Sequence, residues 1–206
     1  MIERFGAEAA LLLIDVQKGV DVLEHWGGPR GRRNNPDAEA NLRLLLGAWR
    51  QHELSIFYTV HDSREQHSPL KLNLPTGKIK DGLEPKRDET VIRKDVNSGF
   101  IGTNLELMLK RRRIHRLVIG GFFTNMCVET TVRMAGNLGF DTYLVADACA
   151  TTNRVSPDGI DRDPELVHAM AVASMDSEFC TAVKAQDVLS LLDRDAENLV
   201  RKQGNE

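Results

Sequence analysis

Residues 9–15 read Ala9-Ala10-Leu11-Leu12-Leu13-Ile14-Asp15, six apolar side chains halted by one carboxylate. An apolar run of this length without alternation suits a strand covered on both faces, as in a parallel sheet. It is the longest such run and far too short to span a bilayer. Working outward, residues 54–60, 90–93, 116–120, 140–146 and 179–183 read as further strands. Helical spacing fills the gaps. Asn35 reads as an N-cap with Pro36 at the first helical position, ahead of an apolar face of Ala38, Leu42, Leu45, Leu46 and Trp49. Thr103 and Glu106 form a capping-box pattern for a helix to about residue 112. Residues 124–138 place Val128, Val132, Ala135 and Leu138 on one helix face, stopped by Gly139. Asp163-Pro164 opens another helix to about residue 175, and a closing helix starts at Gln186. Residues 61–88 form a long excursion, of the kind that often serves as a lid or binding loop. Strands alternating with helices predict an α/β fold whose parallel sheet is covered on both faces. In such folds the site lies beyond the carboxyl ends of the strands.

The 206 residues fit one domain, 1–206. With 41% hydrophobic and 28% charged residues the composition is that of a soluble globular chain. A formal net charge of −3 gives no pull toward nucleic acid or an anionic membrane. The opening Met1-Ile2-Glu3-Arg4 lacks the pattern of an export signal, so a cytoplasmic location is expected. The three cysteines, Cys127, Cys149 and Cys180, are odd in number and lack CxxC spacing, which argues against a disulfide framework or a zinc cage. Buried thiols, or one reactive thiol, remain.

Three predicted strands end in a chemically loaded residue: Asp15, Lys94, and Cys127 after Gly120-Gly121. Each has a plain reading. Asp15 suits a cap or a structural ion pair, and Lys94 a solvated strand end. Cys127 is as readily a small buried hydrophobe as a reactive thiol. Its place in the first turn of a helix, however, favours thiolate over thiol. Cys149 and Cys180 read as core. Taken together, an acid, an amine and a thiol on one sheet edge make a nucleophile with two charge partners.

The segments Leu11-Leu12-Leu13-Ile14-Asp15-Val16-Gln17, Val91-Ile92-Arg93-Lys94 with Ser98-Gly99-Phe100, and Gly120-Gly121-Phe122-Phe123-Thr124-Asn125-Met126-Cys127-Val128 resemble the isochorismatase-like cysteine hydrolases. That family includes nicotinamidases, N-carbamoylsarcosine amidase and ureidoacrylate-type amidases. Val145-Ala146-Asp147-Ala148 also fits, and the resemblance spans roughly residues 8–192. It implies a three-layer α/β/α Rossmann-like fold with a central, mostly parallel six-stranded sheet. It implies a homo-oligomer, a dimer or a tetramer. It carries a catalytic triad onto Asp15, Lys94 and Cys127. It further implies a cis peptide between Phe122 and Phe123, with the backbone N–H groups of Phe123 and Cys127 as the oxyanion hole.

Family members acting on isochorismate itself typically lack the cysteine, so Cys127 points to an amidase. Nicotinamidases hold a metal through an Asp-x-His pair after the second strand. Here that stretch reads His61-Asp62-Ser63, with His67 later, and neither a metal nor another cofactor is expected. The expected reaction is hydrolysis of a C–N bond in a small amide or ureido compound through a thioester. Trp26, His61, Phe100 and Phe122 are the candidate substrate contacts. Trp26 lies in His25-Trp26-Gly27-Gly28, too rich in glycine for a core helix. Phe122 suits ordinary core as well, and His61 a structural role. Arg30, Arg32 and Arg33 suit a substrate carboxylate, although a solvated loop or subunit contact fits them better. His168 reads as structural. The rivals are a non-catalytic binding or scaffold protein, a hydrolase of a non-amide substrate, a thiol redox protein using Cys149, and a dinucleotide binder, for which GxGxxG is missing.

Overall fold

Every side chain of the run at 9–14 is buried, as the middle of a parallel sheet requires. The structure is a computed structural model that describes residues 5, 6 and 8–193. In chain order, β1 (Ala9–Ile14) precedes the short helix α1 (Leu23–Gly27), then α2 (Ala38–Gln51), β2 (Ser55–His61), β3 (Thr90–Lys94), α3 (Leu105–Arg111) and β4 (Arg116–Phe122). The turn Thr124–Val128 leads into α4 (Glu129–Asn137). There follow β5 (Asp141–Ala150), the two-residue strands β6 (Arg154–Val155) and β7 (Asp161–Arg162), α5 (Pro164–Met175) and β8 (Thr181–Val183). A helix over 185–193 closes the described chain. Residues 1–4, read above for an export signal, and any continuation of the last helix lie outside the described residues.

The main sheet has the order β3-β2-β1-β4-β5-β8. Every pair in it is parallel, so the expected "mostly parallel" sheet is parallel throughout. From β1 the chain builds outward through β2 and β3, then returns to β4 on the other side. The direction of winding therefore switches between β1 and β4, and a crevice opens at their carboxyl ends. Successive residues of β1 feed opposite faces. Leu11 and Leu13 pack with Leu42, Leu45, Leu46 and Trp49 of α2 and with Val188 of the closing helix. Ala10, Leu12 and Ile14 pack with Leu105 and Leu109 of α3, Val132 and Ala135 of α4, and Met175 of α5. Three layers result.

The sequence pattern misplaces three local details. Asn35 does not cap α2. It adopts a positive φ of 41°, and its amide donates to the carbonyls of Ala146 (3.2 Å) and Cys149 (2.7 Å) on β5. The helix starts at Ala38 instead. The Thr103–Glu106 box does not close either. The Thr103 hydroxyl donates to the Gly99 carbonyl at 2.6 Å and Glu106 pairs with Lys110, so α3 begins at Leu105. The helix read over 124–138 is broken at Met126 (φ −130°, ψ −106°), and regular α-helix resumes only at Glu129. Val128, Val132 and Ala135 are buried as expected, whereas Leu138 is half-buried next to Gly139 (φ 83°). The excursion 61–88 holds only the 3-10 turn Pro75–Gly77.

Gly121 sits where β4 touches β1. Its φ is 135°, and a Cβ there would lie 2.1 Å from the Ile14 carbonyl oxygen. Gly139 also has positive φ, but a Cβ there meets nothing within 4 Å. Gly121→Ala should therefore destabilise the fold by about 3 kcal/mol, a fall in Tm on the order of 10 °C at this chain length. Gly139→Ala should lose only about 1 kcal/mol, the ordinary left-handed penalty. Thermal unfolding of the two variants checks the difference, and equal shifts would refute the close-approach argument.

Candidate active site

The parallel register sets the site. Ile14 pairs with Thr59, and His61 with Lys94, so the ends of β1, β2 and β3 lie side by side. Asp15, just past β1, is 1% exposed. Its N–H donates to the Thr59 carbonyl at 3.1 Å, and the Thr59 hydroxyl donates to Asp15 Oδ1 at 2.6 Å. Asp15 Oδ2 accepts from Lys94 Nζ at 2.5 Å. Lys94 Nζ also donates to His61 Nδ1 at 2.8 Å and to the Val96 carbonyl at 3.2 Å. Three ammonium protons thus meet three acceptors. Burial works against the Lys94 charge, but Asp15 outweighs it and the ammonium is held above its ordinary range.

His61 enters the site from β2. Its Nδ1 lies 3.9 Å from Cys127 Sγ and 3.8 Å from Asp15 Oδ2. Burial lowers its pKa and the Lys94 charge lowers it further. A neutral ring accepting at Nδ1 carries its proton on Nε2. Gln17, fully buried, fixes the end of that strand. Its amide donates to the carbonyls of His61 (3.0 Å) and Gly77 (2.9 Å), and its oxygen accepts from the His61 N–H (2.7 Å).

Asp15, His61 and Cys127 offer donor atoms within 4.8 Å of one another, a carboxylate, an imidazole and a thiol that could suit a metal. Lys94 Nζ already bonds two of the three, so a cation of the chain itself occupies that position. Asp62, the neighbour that a metal pair would recruit, accepts from the Leu72 N–H at 3.0 Å and pairs with Arg93.

Cys127 lies in the turn Thr124–Val128. Burial pushes its thiol well up, the Asp15 charge adds to that, and Lys94 opposes it. The helix-start argument for a resting thiolate is therefore corrected. The break at Met126 interrupts the helix just ahead of the sulfur, and burial beside a carboxylate outweighs the dipole. The direction of that shift favours a thiol at rest. Cys149 and Cys180 are free, sit in the core, and are pushed up to about 12 chiefly by burial. The Phe122–Phe123 peptide is cis. The Phe123 carbonyl accepts from the N–H groups of Met126 (2.9 Å) and Val128 (3.3 Å), closing the turn that carries Cys127.

Cys127 opens onto a cavity of about 130 Å³. Trp26, His61 and Phe122 line it, as the sequence suggested, and Phe123 joins them. Trp26 lies in the short helix α1, none of whose residues is buried. Its indole donates to the Gly19 carbonyl at 2.8 Å, and its ring meets Phe123 edge-on at 5.1 Å. Phe100 does not line the cavity. It stacks on Phe140 at 5.9 Å, among the core of the other face. Arg32 and Arg33 are not free for a carboxylate. Arg33 makes a two-pronged bond to Glu39 (2.6 and 2.8 Å), and Arg32 pairs with Asp161 (2.8 Å) and Asp163 (3.5 Å). Arg30 is exposed and lies outside the cavity wall. His168 is structural, its Nδ1 2.9 Å from the Thr124 hydroxyl. Glu65, Ser68, Asn97 and Met126 of the wall escaped the sequence reading. Ser68 and Glu65 belong to the excursion, whose length was the only signal.

The isochorismatase domain model matches residues 9–187. An uncharacterized isochorismatase family protein of Bacillus subtilis, YrdC, is 39% identical over 181 residues, covering 88% of this chain and 94% of its own length. A solved structure from Chromobacterium violaceum, assigned to the same family, superposes with a TM-score of 0.86 at 41% identity, covering 93% of this chain and 97% of that one. The ureidoacrylate amidohydrolase RutB of Acinetobacter baylyi is 44% identical over 69 residues, 34% of this chain and 28% of its own length.

Because the resting sulfur is a thiol, iodoacetamide labelling of Cys127 should keep accelerating with pH beyond about 9, past the ordinary cysteine range. Cys127 should still label ahead of Cys149 and Cys180, because it alone of the three lines the cavity. Asp15→Asn removes a charge that raises the thiol pKa, so it should shift the rate profile to lower pH. Mass spectrometry after timed labelling reads all three, and a plateau near pH 8 in the unmodified chain would contradict the thiol assignment.

Proposed function

Because the chain belongs to the isochorismatase family of hydrolases, we propose that it cleaves a C–N bond of a small amide or carbamoyl compound through a thioester on Cys127. The observation that carries this reading is the placement of a buried thiol and a buried carboxylate within 4.8 Å, with Lys94 bonded to the carboxylate. A protonated sulfur needs a base, and Asp15 is the base. When the proton moves from Cys127 to Asp15, the negative charge passes from carboxylate to sulfur. The Lys94 ammonium stays beside it, so the buried site remains neutral in sum. The thiolate then attacks the carbonyl carbon. Backbone N–H groups of Phe123 and Cys127 meet the developing oxyanion. Asp15 returns its proton to the leaving ammonia or amine. A water deprotonated by Asp15 then releases the acyl group and restores the thiol.

The partial match to an amidohydrolase that acts on a ureido compound supports the amide reading. The proposal extends to a homo-oligomer acting on small molecules in the cytosol. Leu166 and Met170 on α5, with Val155 and Ile160 on the β6–β7 hairpin, are exposed apolar side chains that favour self-association, which light scattering reads directly. Among the described residues no helix is long and apolar enough to cross a membrane.

Ammonia release from a panel of amides, carbamoyl compounds and ureas tests the reaction class. No turnover of any of them by the pure protein would sink it. On the responsive substrate, Cys127→Ala should lose about three orders of magnitude or more in kcat, as loss of a nucleophile does. Asp15→Asn and Lys94→Ala should each lower kcat far more than they raise KM, since their charges matter most as the proton moves. A near-normal kcat for Lys94→Ala would remove it from the mechanism.

A further inference from the structure

The wall of the Cys127 cavity contains no lysine or arginine. Its one carboxylate is that of Glu65, exposed at the rim. Its other polar members are Ser63, Ser68, Asn97 and the neutral His61. Among the described residues Glu65 makes no ion pair with lysine or arginine, and its basic neighbour is His25, with Nε2 at 4.0 Å. The cations near the cavity are bonded around it rather than into it: Lys71 donates to the Ser63 carbonyl at 3.0 Å and Arg154 to the Trp26 carbonyl at 3.1 Å, and the others are paired with carboxylates. Lys94 is held by Asp15, Arg33 and Lys80 by Glu39, and Arg32 by Asp161 and Asp163. A space of about 130 Å³ corresponds to roughly four water molecules at ~30 Å³ each. Any group entering it leaves most of its hydration behind. A carboxylate would be desolvated beside Glu65, with no lysine or arginine in the wall to receive it.

We infer that this cavity accepts uncharged or amine-bearing amides and rejects carboxylates, with Glu65 as the specificity-determining residue. The inference rests on the reading of this cavity as the substrate site. It separates the chain from the relatives named for ureidoacrylate, which is an anion. Six apolar walls, Val20, Trp26, Leu70, Phe122, Phe123 and Met126, suit a short acyl or carbamoyl body. The rim suits a hydrogen-bonding or cationic tail that passes Glu65.

Two measurements on the full chain test it. The first needs no turnover. Cys127 is alkylated with iodoacetamide and with iodoacetate, each rate divided by that of 2-mercaptoethanol under the same conditions. Discrimination against iodoacetate of about tenfold or more is expected, the size of an unmatched like charge in partly wet surroundings. Glu65→Gln should shrink it several-fold, and Glu65→Lys should abolish it. Equal normalised rates in the unmodified chain, or discrimination unchanged in both variants, would overturn the inference. The second compares kcat/KM for succinamide, β-alaninamide and succinamate, of which succinamide and succinamate match in size and differ in charge. Succinamate is expected last, and succinamate first would overturn the inference while leaving the amidase reading intact. Turnover of none of the three, with iodoacetate still disfavoured, would count against the amidase reading and leave the charge selection standing.

Discussion

A buried ammonium bonded at 2.5 Å to a buried carboxylate, Lys94 to Asp15, is the contact that the rest of the molecule accommodates. Taking two such charges out of water costs several kcal/mol per ion unless their remaining bonds are satisfied. Here they are. Thr59 donates to the second carboxylate oxygen, and His61 and Val96 accept the other lysine protons. The pair and these partners come from the ends of three adjacent parallel strands in one register. A slip of one residue would turn Lys94 to the opposite face of the sheet and leave both charges alone. The pair therefore fixes the sheet as much as the sheet fixes the pair. The buried Gln17, which holds both the main chain of His61 and Gly77 of the excursion, extends the same constraint outward.

Much of this was legible in the chain because apolar patterning over several residues survives any local detail. β1 was read to the residue. The buried face of α2 and the start of α5, where the Asp163 side chain accepts from the Glu165 N–H, also matched. The lapses share one physical origin, since each depends on a partner distant in sequence. Asn35 has the chemistry of a cap, but β5 offers its amide two carbonyls. Phe100 follows a motif residue, but Phe140 decides which face its ring joins. Cys127 follows the rule for an acidified thiol, but burial beside Asp15 reverses the sign. Nothing in the spacing ranked His61 between a structural and an active role, because that depends on Lys94 lying beside it across the β2–β3 pairing. The match to the isochorismatase domain model bears out the family read from the three motifs.

The back of the cavity has an organisation that no motif announced. The Phe122 ring has the Arg33 guanidinium 5.3 Å from its centre and the Lys80 ammonium at 5.5 Å. Both cations are held by Glu39. Burial pushes the Glu39 carboxyl up, and the bonds from Arg33 and Lys80 more than reverse this, bringing it down to about 2. A helix start, an arginine loop and the long excursion thus meet on the ring that precedes Phe123. Two cations held by Glu39 attract the same aromatic ring, so this part of the cavity wall is braced.

The strand order carries a consequence for how the protein is made. β1 is flanked by β2 on one edge and by β4 on the other, and β4 begins at residue 116, long after β1 ends at residue 14. At ribosomal speeds that interval lasts roughly 5 to 20 seconds. Throughout it, Ala-Ala-Leu-Leu-Leu-Ile has one bare hydrogen-bonding edge and lacks the cover that α3, α4 and α5 later give one of its faces. Such an edge recruits foreign strands as readily as its own. Shielding that edge until β4 emerges is therefore a demand the strand order places on folding during synthesis, even though the finished fold is well packed.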